Sequence, residues 1–175
     1  MRAVIADAGP LMALAKVDRL DLLFKQFSRI LTPPAVHDEV VVAGQLLGFP
    51  DAALLKRCYD ERAIEIVAPG LSSLPVPLPL GRGEEESIRL AIEHGADWLL
   101  IDDRDARQGA LKVFQVAGCA TQIKGTLGVV VSACQAGLLS RSEAKKIIQE
   151  LGQRSDIWIS PELCHRVIDL LDRSL

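Results

Sequence analysis

The segment at residues 4–16 reads VIADAGPLMALAK, a strand pattern followed by a helix pattern. The same alternation of strand and helix patterns continues along much of the chain. The first three residues of the segment are apolar, which is typical of a short buried strand, and the strand ends at Asp7. Gly9-Pro10 then breaks the strand, and a helix opens at Leu11. A buried strand, an acid at its carboxyl end and a helix therefore follow one another.

Similar short apolar runs, each followed by a helical pattern, recur along the chain. We predict further strands at residues 29–31, 64–67, 98–101 and 119–123. Strands that alternate with helices form parallel sheets covered on both faces, so we predict an α/β fold with three α/β/α layers and a central parallel sheet. The S-x-x-E box at Ser140 and the Ser160-Pro161 pair are typical helix starts, so a helical C-terminal extension should follow.

The composition indicates one soluble globular domain. Of the 175 residues, 49% are hydrophobic and 25% are charged, and the formal net charge is −3. This balance argues against a broad basic surface for coating DNA, and the 4% aromatic content argues against a base-stacking sheet of the RNA-recognition-motif or OB type.

Membrane, export and zinc signals are absent from the sequence. The longest apolar stretch falls short of a membrane helix, and the one before Asp7 is too short for a signal peptide, so we expect a cytoplasmic protein with no membrane contact. The 4 cysteines form no C-x-x-C pair and the 3 histidines keep no zinc-finger spacing. We therefore interpret the thiols as reduced and mostly buried.

One segment, residues 68–83, is rich in proline and glycine and irregular. We interpret it as a surface connection or lid within one domain, because the α/β alternation continues after it. The core would then span residues 1–139, and residues 140–175 would be a helical extension of the same domain. The amphipathic spacing in the last helix predicts packing on this domain, with packing on a second copy as the alternative.

Acidic side chains stand where the predicted strands end or helices begin. Asp7 follows the first strand, Asp102-Asp103 follow the most apolar one, Glu39 lies on the helix after the second, and Glu84–Glu86 open a later helix. Ligand sites in parallel sheets form beyond the carboxyl ends of the strands. Carboxylates that converge there repel one another unless a cation lies among them, and an all-oxygen set suits Mg²⁺ or Mn²⁺.

The joint placement of these acids favours metal-assisted chemistry on a phosphate ester. Each acid taken alone has a structural alternative, namely a helix cap, a turn, a dipole contact or a solvated helix face. The chain lacks a D-x-D after its first strand and both common glycine-rich phosphate loops, so phosphatase and nucleotide-binding interpretations rank lower.

Five blocks, taken in order, resemble the PIN-domain family, and most closely a prokaryotic branch related to VapC-type toxins. They are residues 4–16, the P-x-x-V-x-x-E block at 33–39, the G-E-x-E-A-I-x-L-A block at 83–91 with Ser87 at the alanine position, the I-D-D-x-x-A-R block at 101–107, and the glycine block at 125–128. Together they cover residues 2–139.

The resemblance implies a metal-dependent ribonuclease whose products carry a 5′-phosphate and a 3′-hydroxyl. It implies that Asp7, Glu39, Glu86 and Asp103 surround one or two Mg²⁺ or Mn²⁺ ions. Asp102 and Glu84 are secondary members of the set. The register within the glutamate run stays open between Glu84, Glu85 and Glu86, and that of the aspartate pair between Asp102 and Asp103.

The same resemblance implies RNA as substrate, a toxin role with a small antitoxin protein as partner, and a homodimer. The RNA backbone needs cations near the acids, and the candidates are Arg82, Arg104, Arg107 and Lys124, for which ordinary surface charge is the alternative. The alternative function is a catalytically inactive PIN-like domain that acts as a nucleic-acid- or protein-binding regulatory module.

Overall fold

A computed structural model describes residues 3–70 and 73–173. Its centre is a five-stranded sheet with the strand order β3-β2-β1-β4-β5, and every pairing is parallel. The strands are β1 (Ala3–Ala6), β2 (Arg29–Thr32), β3 (Glu65–Ile66), β4 (Trp98–Leu100) and β5 (Gln122–Lys124). The predicted central parallel sheet is confirmed.

Helices connect the strands and cover the sheet. They are α1 (Ala8–Lys16), α2 (Asp21–Gln26), α3 (Pro34–His37), α4 (Gly44–Leu46), α5 (Pro50–Asp60), α6 (Arg82–Glu93), α7 (Arg104–Ala117), α8 (Thr126–Gln135), α9 (Arg141–Gln153) and α10 (Pro161–Arg173). A π-helical segment, Asp38–Ala43, joins α3 to α4. None of the described helices has the length and apolar character needed to cross a membrane.

Alternate residues of the strands form two separate cores, one on each face of the sheet. Ile5, Leu31 and Leu99 pack on one face with residues of α6 and α7. Their neighbours Val4 and Leu100 pack on the other face, which the remaining long helices cover. Successive side chains of a strand point to opposite faces, so these apolar strands are buried on both sides and the molecule has three layers, as predicted.

The described part of the proline-rich segment before α6 contains no helix or strand, bends at residues 75–76, and packs on the face covered by α6 and α7. Leu74, Val76 and Leu78 pack, partly buried, against that core, while the prolines between them are exposed. Gly109 of α7 makes room for this packing, because a Cβ there would come within 2.8 Å of Leu78 Cδ1. The segment is a surface connection; Leu71 and Ser72 lie outside the described residues.

The two C-terminal helices complete the second core. The predicted capping box of α9 is confirmed, since Ser140 Oγ accepts from the Glu143 N–H and Glu143 Oε2 accepts from the Ser140 N–H at 2.7 Å. In α10, Leu171 is buried against this domain, whereas Leu170 is 60% exposed. The last predicted residues of this helix, Ser174 and Leu175, lie outside the described residues.

Two helices begin earlier than the sequence predicted. Helix α1 starts at Ala8 and contains Pro10 in its first turn, where the missing N–H of proline costs nothing because it would have no helical partner. Helix α6 starts at Arg82, because the Glu84 carboxylate accepts from the Gly81 N–H at 3.0 Å and closes the first turn. Both shifts lengthen a helix toward the carboxyl edge of the sheet.

Candidate active site

The carboxyl ends of β1 and β4 open into a crevice at the edge of the sheet. These strands are neighbours, but the chain leaves β1 toward β2 on one side and leaves β4 toward β5 on the other. A crevice forms at such a switch point, because the connecting helices diverge. Its volume is about 920 Å³, and the acids that line it are Asp7, Asp38, Glu39, Glu84, Asp102 and Asp103. We call it the acidic crevice.

Asp7 is the most deeply placed of these acids. It follows β1 directly, its backbone N–H donates to the Leu100 carbonyl at 3.0 Å, and only 7% of the residue is exposed. The Ser87 hydroxyl donates to Asp7 Oδ1 at 3.3 Å. Burial raises the pKa of Asp7 to about 7, and the charges of Glu84 and Glu39 add to the rise, against the opposing hydrogen bonds from Ala8 and Ser87.

Glu39 reaches the same place from the π-helical segment. Partial burial and the negative charge of Glu84 raise its pKa. Gly83 lies beside both carboxylates, since a Cβ at that position would be in ordinary contact with them, 3.6 Å from Glu39 Oε2 and 3.8 Å from Asp7 Oδ1. The wide π turn is a feature common at functional sites, and here it carries the side chain that faces Asp7.

The glutamate run divides between the crevice and the fold. Glu84 lines the crevice, while Glu85 and Glu86 are not among its lining residues. Glu86 instead accepts from the Ala35 N–H at 3.1 Å and from Arg82 Nε at 2.7 Å, so it ties α3 to α6. The structure thus brings Glu84 close to Asp7 and Glu39. Glu86, the position that the sequence favoured, lies on another side of α6, outside the crevice lining.

Asp102 and Asp103, which follow β4, also line the crevice, and both have structural partners. Asp102 accepts from the Thr126 N–H at 2.7 Å and from Thr126 Oγ1 at 2.6 Å. Burial raises its pKa, and Thr126 and Arg107 oppose the rise. Asp103 is exposed and caps α7 by accepting from the Ala106 N–H at 2.8 Å. Two consecutive carboxylates therefore position the start of two helices.

The four predicted cations lie at two neighbouring places. Arg82 and Arg104 line the acidic crevice. Arg107 and Lys124 line an adjoining depression that shares Asp102 with it. Lys124 Nζ lies 4.0 Å from the centre of the Trp98 ring and donates to Ser132 Oγ at 2.9 Å, so this ammonium group points away from the acids.

The chemistry of the acids fits a hard divalent cation. Carboxylate oxygens are the ligands that Mg²⁺ and Mn²⁺ prefer. The pKa of Asp7 is raised because burial and the negative charges of Glu84 and Glu39 disfavour its ionised form, and a bound cation would favour that form. Arg82 does not neutralise this charge directly, because its guanidinium pairs with Glu86. Across residues 3–70 and 73–173, however, no three Asp, Glu, His or Cys side chains are already arranged to hold a metal ion.

Three residues of the site had no role in the sequence interpretation. Ser87 binds Asp7, and its only signal was that it replaces alanine in the third block. Thr126 holds Asp102, and its signal was its place between two glycines. Trp158 also lines the crevice. It lies outside all five blocks, and its side chain is fully exposed to solvent.

Comparison with known proteins assigns the family. The comparison with curated proteins gives no match. The sequence model of a family described as a PIN domain matches residues 3–173, which includes both C-terminal helices and thus more of the chain than the five blocks. Since this match spans nearly the whole chain, the protein belongs to the PIN-domain family, whose members are generally nucleases.

Proposed function

We propose that this protein is a ribonuclease that depends on Mg²⁺ or Mn²⁺ and hydrolyses phosphodiester bonds of RNA. The observation that carries the proposal is that Asp7, Glu39, Glu84, Asp102 and Asp103 line one crevice of a PIN-domain fold. In this proposal Glu84 replaces Glu86 in the acidic quartet.

Under this proposal, different residues of the crevice have different roles in hydrolysis. Asp7, Glu39 and Glu84 would supply the oxygens that hold the ion, which when bound would acidify a water molecule and stabilise negative charge on the phosphate. Asp103 lines the same crevice and is exposed, so its carboxylate would be the acceptor for the proton of the attacking water. Arg82 and Arg104 lie beside the acids and can hold flanking phosphates.

The proposed hydrolysis proceeds in one displacement at phosphorus and needs no covalent intermediate between enzyme and RNA. The water oxygen forms a bond to phosphorus, the bond between phosphorus and the 3′ oxygen breaks, and the leaving oxygen takes a proton. The products would be a 5′-phosphate and a 3′-hydroxyl. No Ser, Cys or His nucleophile is needed, and Ser160, the one hydroxyl side chain among the described lining residues, accepts from the Leu163 N–H at the start of α10.

The test is cleavage of labelled RNA by purified protein with Mn²⁺ or Mg²⁺ added. We expect cleavage by the wild type and a loss of at least about 100-fold for Asp7→Asn, a magnitude typical of removing one charge-stabilising group from a catalytic site. Asp105→Asn changes an exposed acid outside the crevice and serves as the matched control. Wild-type protein that cleaves no RNA with either ion would contradict the proposal.

A catalytically inactive binding module is the second candidate. It is favoured by the observation that both oxygens of Asp102 bind Thr126 and that Asp103 caps α7, because these contacts explain the two acids without catalysis. Thermal unfolding with Mn²⁺ separates the candidates. A metal site should stabilise the wild type by about 2.7 kcal/mol at a concentration 100 times the dissociation constant, and Asp7→Asn should lose this gain.

The resemblance to VapC-type toxins supports a finer proposal, in which the protein acts as a toxin and a small antitoxin covers the acidic crevice. Expression in a bacterial host should then arrest growth, and Asp7→Asn should relieve the arrest. Growth that is equal for the two forms would contradict the toxin role while leaving the ribonuclease proposal to the cleavage assay.

A further inference from the structure

A second cleft adjoins the acidic crevice and is mainly apolar. It lies between α1, the beginning of α5 and the segment at residues 154–160, and its volume is about 520 Å³. This volume falls within the roughly 300–1,000 Å³ of typical small-molecule sites. Met12, Phe49, Leu54, Ile157 and Trp158 supply its apolar lining. We call it the apolar cleft.

The apolar cleft and the acidic crevice are continuous. Both are lined by Gly9, Met12, Asp102 and Trp158. Gly9 lies beside Asp102 at this junction, since a Cβ on Gly9 would lie 3.4 Å from the Asp102 Cβ, in ordinary van der Waals contact. A ligand that reaches the carboxylates can therefore place a neighbouring group in the apolar cleft.

Trp158 is the most exposed large apolar side chain of the described residues, at 102% of its reference area. The residues around it are anchored: Ile159 is 8% exposed, Ile157 packs partly buried on the core, and Ser160 Oγ accepts from the Leu163 N–H at the start of α10. The indole ring therefore stands in water although the chain on both sides of it is fixed.

Ion pairs hold the same segment against α1. Lys16 Nζ donates to the Asp156 carbonyl at 2.7 Å and lies 3.4 Å from its carboxylate, and Arg154 binds that carboxylate through two nitrogens. Lys16 Nζ also lies 5.9 Å from the centre of the Phe49 ring. The apolar cleft is thus lined by two aromatic side chains, and its charged lining consists of two cations and three acids, namely Lys16, Arg154, Asp51, Asp102 and Asp156.

A suitable occupant must have an apolar planar face and must be joined to a group that enters the acidic crevice. An unpaired base of an RNA strand meets both conditions, because its sugar and phosphate continue toward the carboxylates and the base can stack on an aromatic ring. A base inside a duplex cannot, since its faces are already covered by its neighbours. A base that occupied this cleft would therefore have to be unpaired.

We propose that the apolar cleft binds one unpaired base of the RNA, with Trp158 as the stacking surface. This inference rests on the proposed function for the identity of RNA as ligand. It assigns Trp158 to substrate binding and leaves the chemical step to the carboxylates.

The test measures binding in the absence of cleavage. The probe is a short labelled single-stranded RNA, titrated in EDTA and again with Ca²⁺, against the wild type, Trp158→Ala and Trp158→Phe. We expect Trp158→Ala to weaken binding by about 5- to 150-fold, which corresponds to the roughly 1–3 kcal/mol of one stacked base, and Trp158→Phe to retain most of the affinity. Val116→Ala is the control, because Val116 is 63% exposed at the far end of α7.

A second probe set locates the base. Each position of the RNA is replaced in turn by an abasic nucleotide, and the affinities for the wild type and Trp158→Ala are compared. At one position the abasic RNA should bind both proteins equally, because the partner of Trp158 is gone. An effect of Trp158→Ala that is the same at every position would overturn the inference.

Two further results would also overturn it: unchanged RNA affinity in Trp158→Ala, including the case in which this variant weakens only a protein complex, and an equal loss for a blunt duplex of the same sequence. Failure of the ribonuclease proposal is separate. Wild-type protein that binds RNA through Trp158 but cleaves none would contradict the proposed function and support the base-binding site.

Discussion

Ionising the Asp7 carboxyl group in the folded protein is unfavourable, because the group is buried and lies near other acids. It is almost fully buried, and its pKa lies near 7 where an ordinary aspartate has 3.8. Between these two pH values the folded protein binds more protons than the unfolded chain. The contribution of Asp7 to stability is therefore fully present below about pH 4 and is lost as the pH rises through 7, at about 1.4 kcal/mol for each pH step between the two pKa values.

Asp7→Asn should remove this dependence on pH. The amide keeps the shape of the side chain and can still accept from Ser87, but it carries no charge. We expect the variant to be more stable than the wild type at pH 8, by at most about 4 kcal/mol, and the difference to shrink toward pH 4. Denaturant unfolding at pH 5 and pH 8 measures it. A constant difference at both pH values would show that Asp7 does not titrate in this range.

Glu84 and Glu86 offer an isosteric comparison two residues apart on one helix. Glu84 lines the crevice and raises the pKa of Asp7, whereas Glu86 bonds to Ala35 and Arg82 outside it. We expect Glu84→Gln to reduce metal-dependent RNA cleavage by at least about 100-fold.

Glu86→Gln should have a small effect on cleavage and a cost in stability of about 1 kcal/mol, because the exchange weakens one partly buried ion pair and leaves the side chain in place. Cleavage rates and unfolding curves of the two variants give both answers. If Glu86→Gln were the inactive one, the register of the acidic quartet that the sequence favoured would be the right one.

At the scale of an element, helix α8 depends on the glycine that precedes it. A Cβ on Gly125 would lie 2.8 Å from Asp102 Oδ1, which is too close for contact and would displace the carboxylate from Thr126. We expect Gly125→Ala to destabilise the protein by about 1–3 kcal/mol, as overpacking does.

The control is Gly81→Ala, where the nearest atom, Glu84 Oε2, is 3.6 Å away and the backbone φ is −65°. Thermal unfolding compares the two variants. Equal midpoints would mean that Asp102 has room to move without loss.

The elements were largely predictable because each carries its own local signal. The apolar runs gave all five strands to within a few residues, and Ser140 and Ser160 marked two helix starts through caps that the structure contains. The π-helical segment was not predictable, since no residue type encodes its wide turn. The start of α6 was missed because the cap uses a backbone group of Gly81, which has no side chain to signal it.

At the scale of the whole molecule, helix α10 packs one of its faces on the core of this domain. Leu171 is 7% exposed and belongs to the core, while its neighbour Leu170 is 60% exposed. Leu171→Ala should cost about 2–5 kcal/mol in unfolding free energy, and Leu170→Ala less than about 0.5 kcal/mol. Denaturant unfolding decides, and similar small costs at both positions would mean that α10 is not part of the cooperative core.

Sedimentation of the same two variants addresses the expected homodimer. If Leu170 faces a second copy, its replacement weakens self-association while the unfolding of the monomer is unchanged. Loss of association in neither variant would place any dimer contact elsewhere on the surface.

The site itself was predictable only in outline. The positions of the acids along the sequence placed them at one edge of the sheet, which the strand order bears out. Which glutamate faces Asp7 depends on the rotation of α6 against the sheet, and this rotation is set by packing with distant residues. The apolar cleft was beyond reach for the same reason, since its walls come from α1, α5 and residues 154–160.

The proline-rich connection also divides the carboxylates between two parts of the chain. Asp7 and Glu39 precede it, Glu84, Asp102 and Asp103 follow it, and the central pairing of β1 with β4 joins the two parts. A backbone cut within residues 68–81 would yield two fragments, and under the proposed function neither would hold the complete set of metal ligands. RNA cleavage would then return only when the two fragments reassemble, which is the property that a split reporter needs.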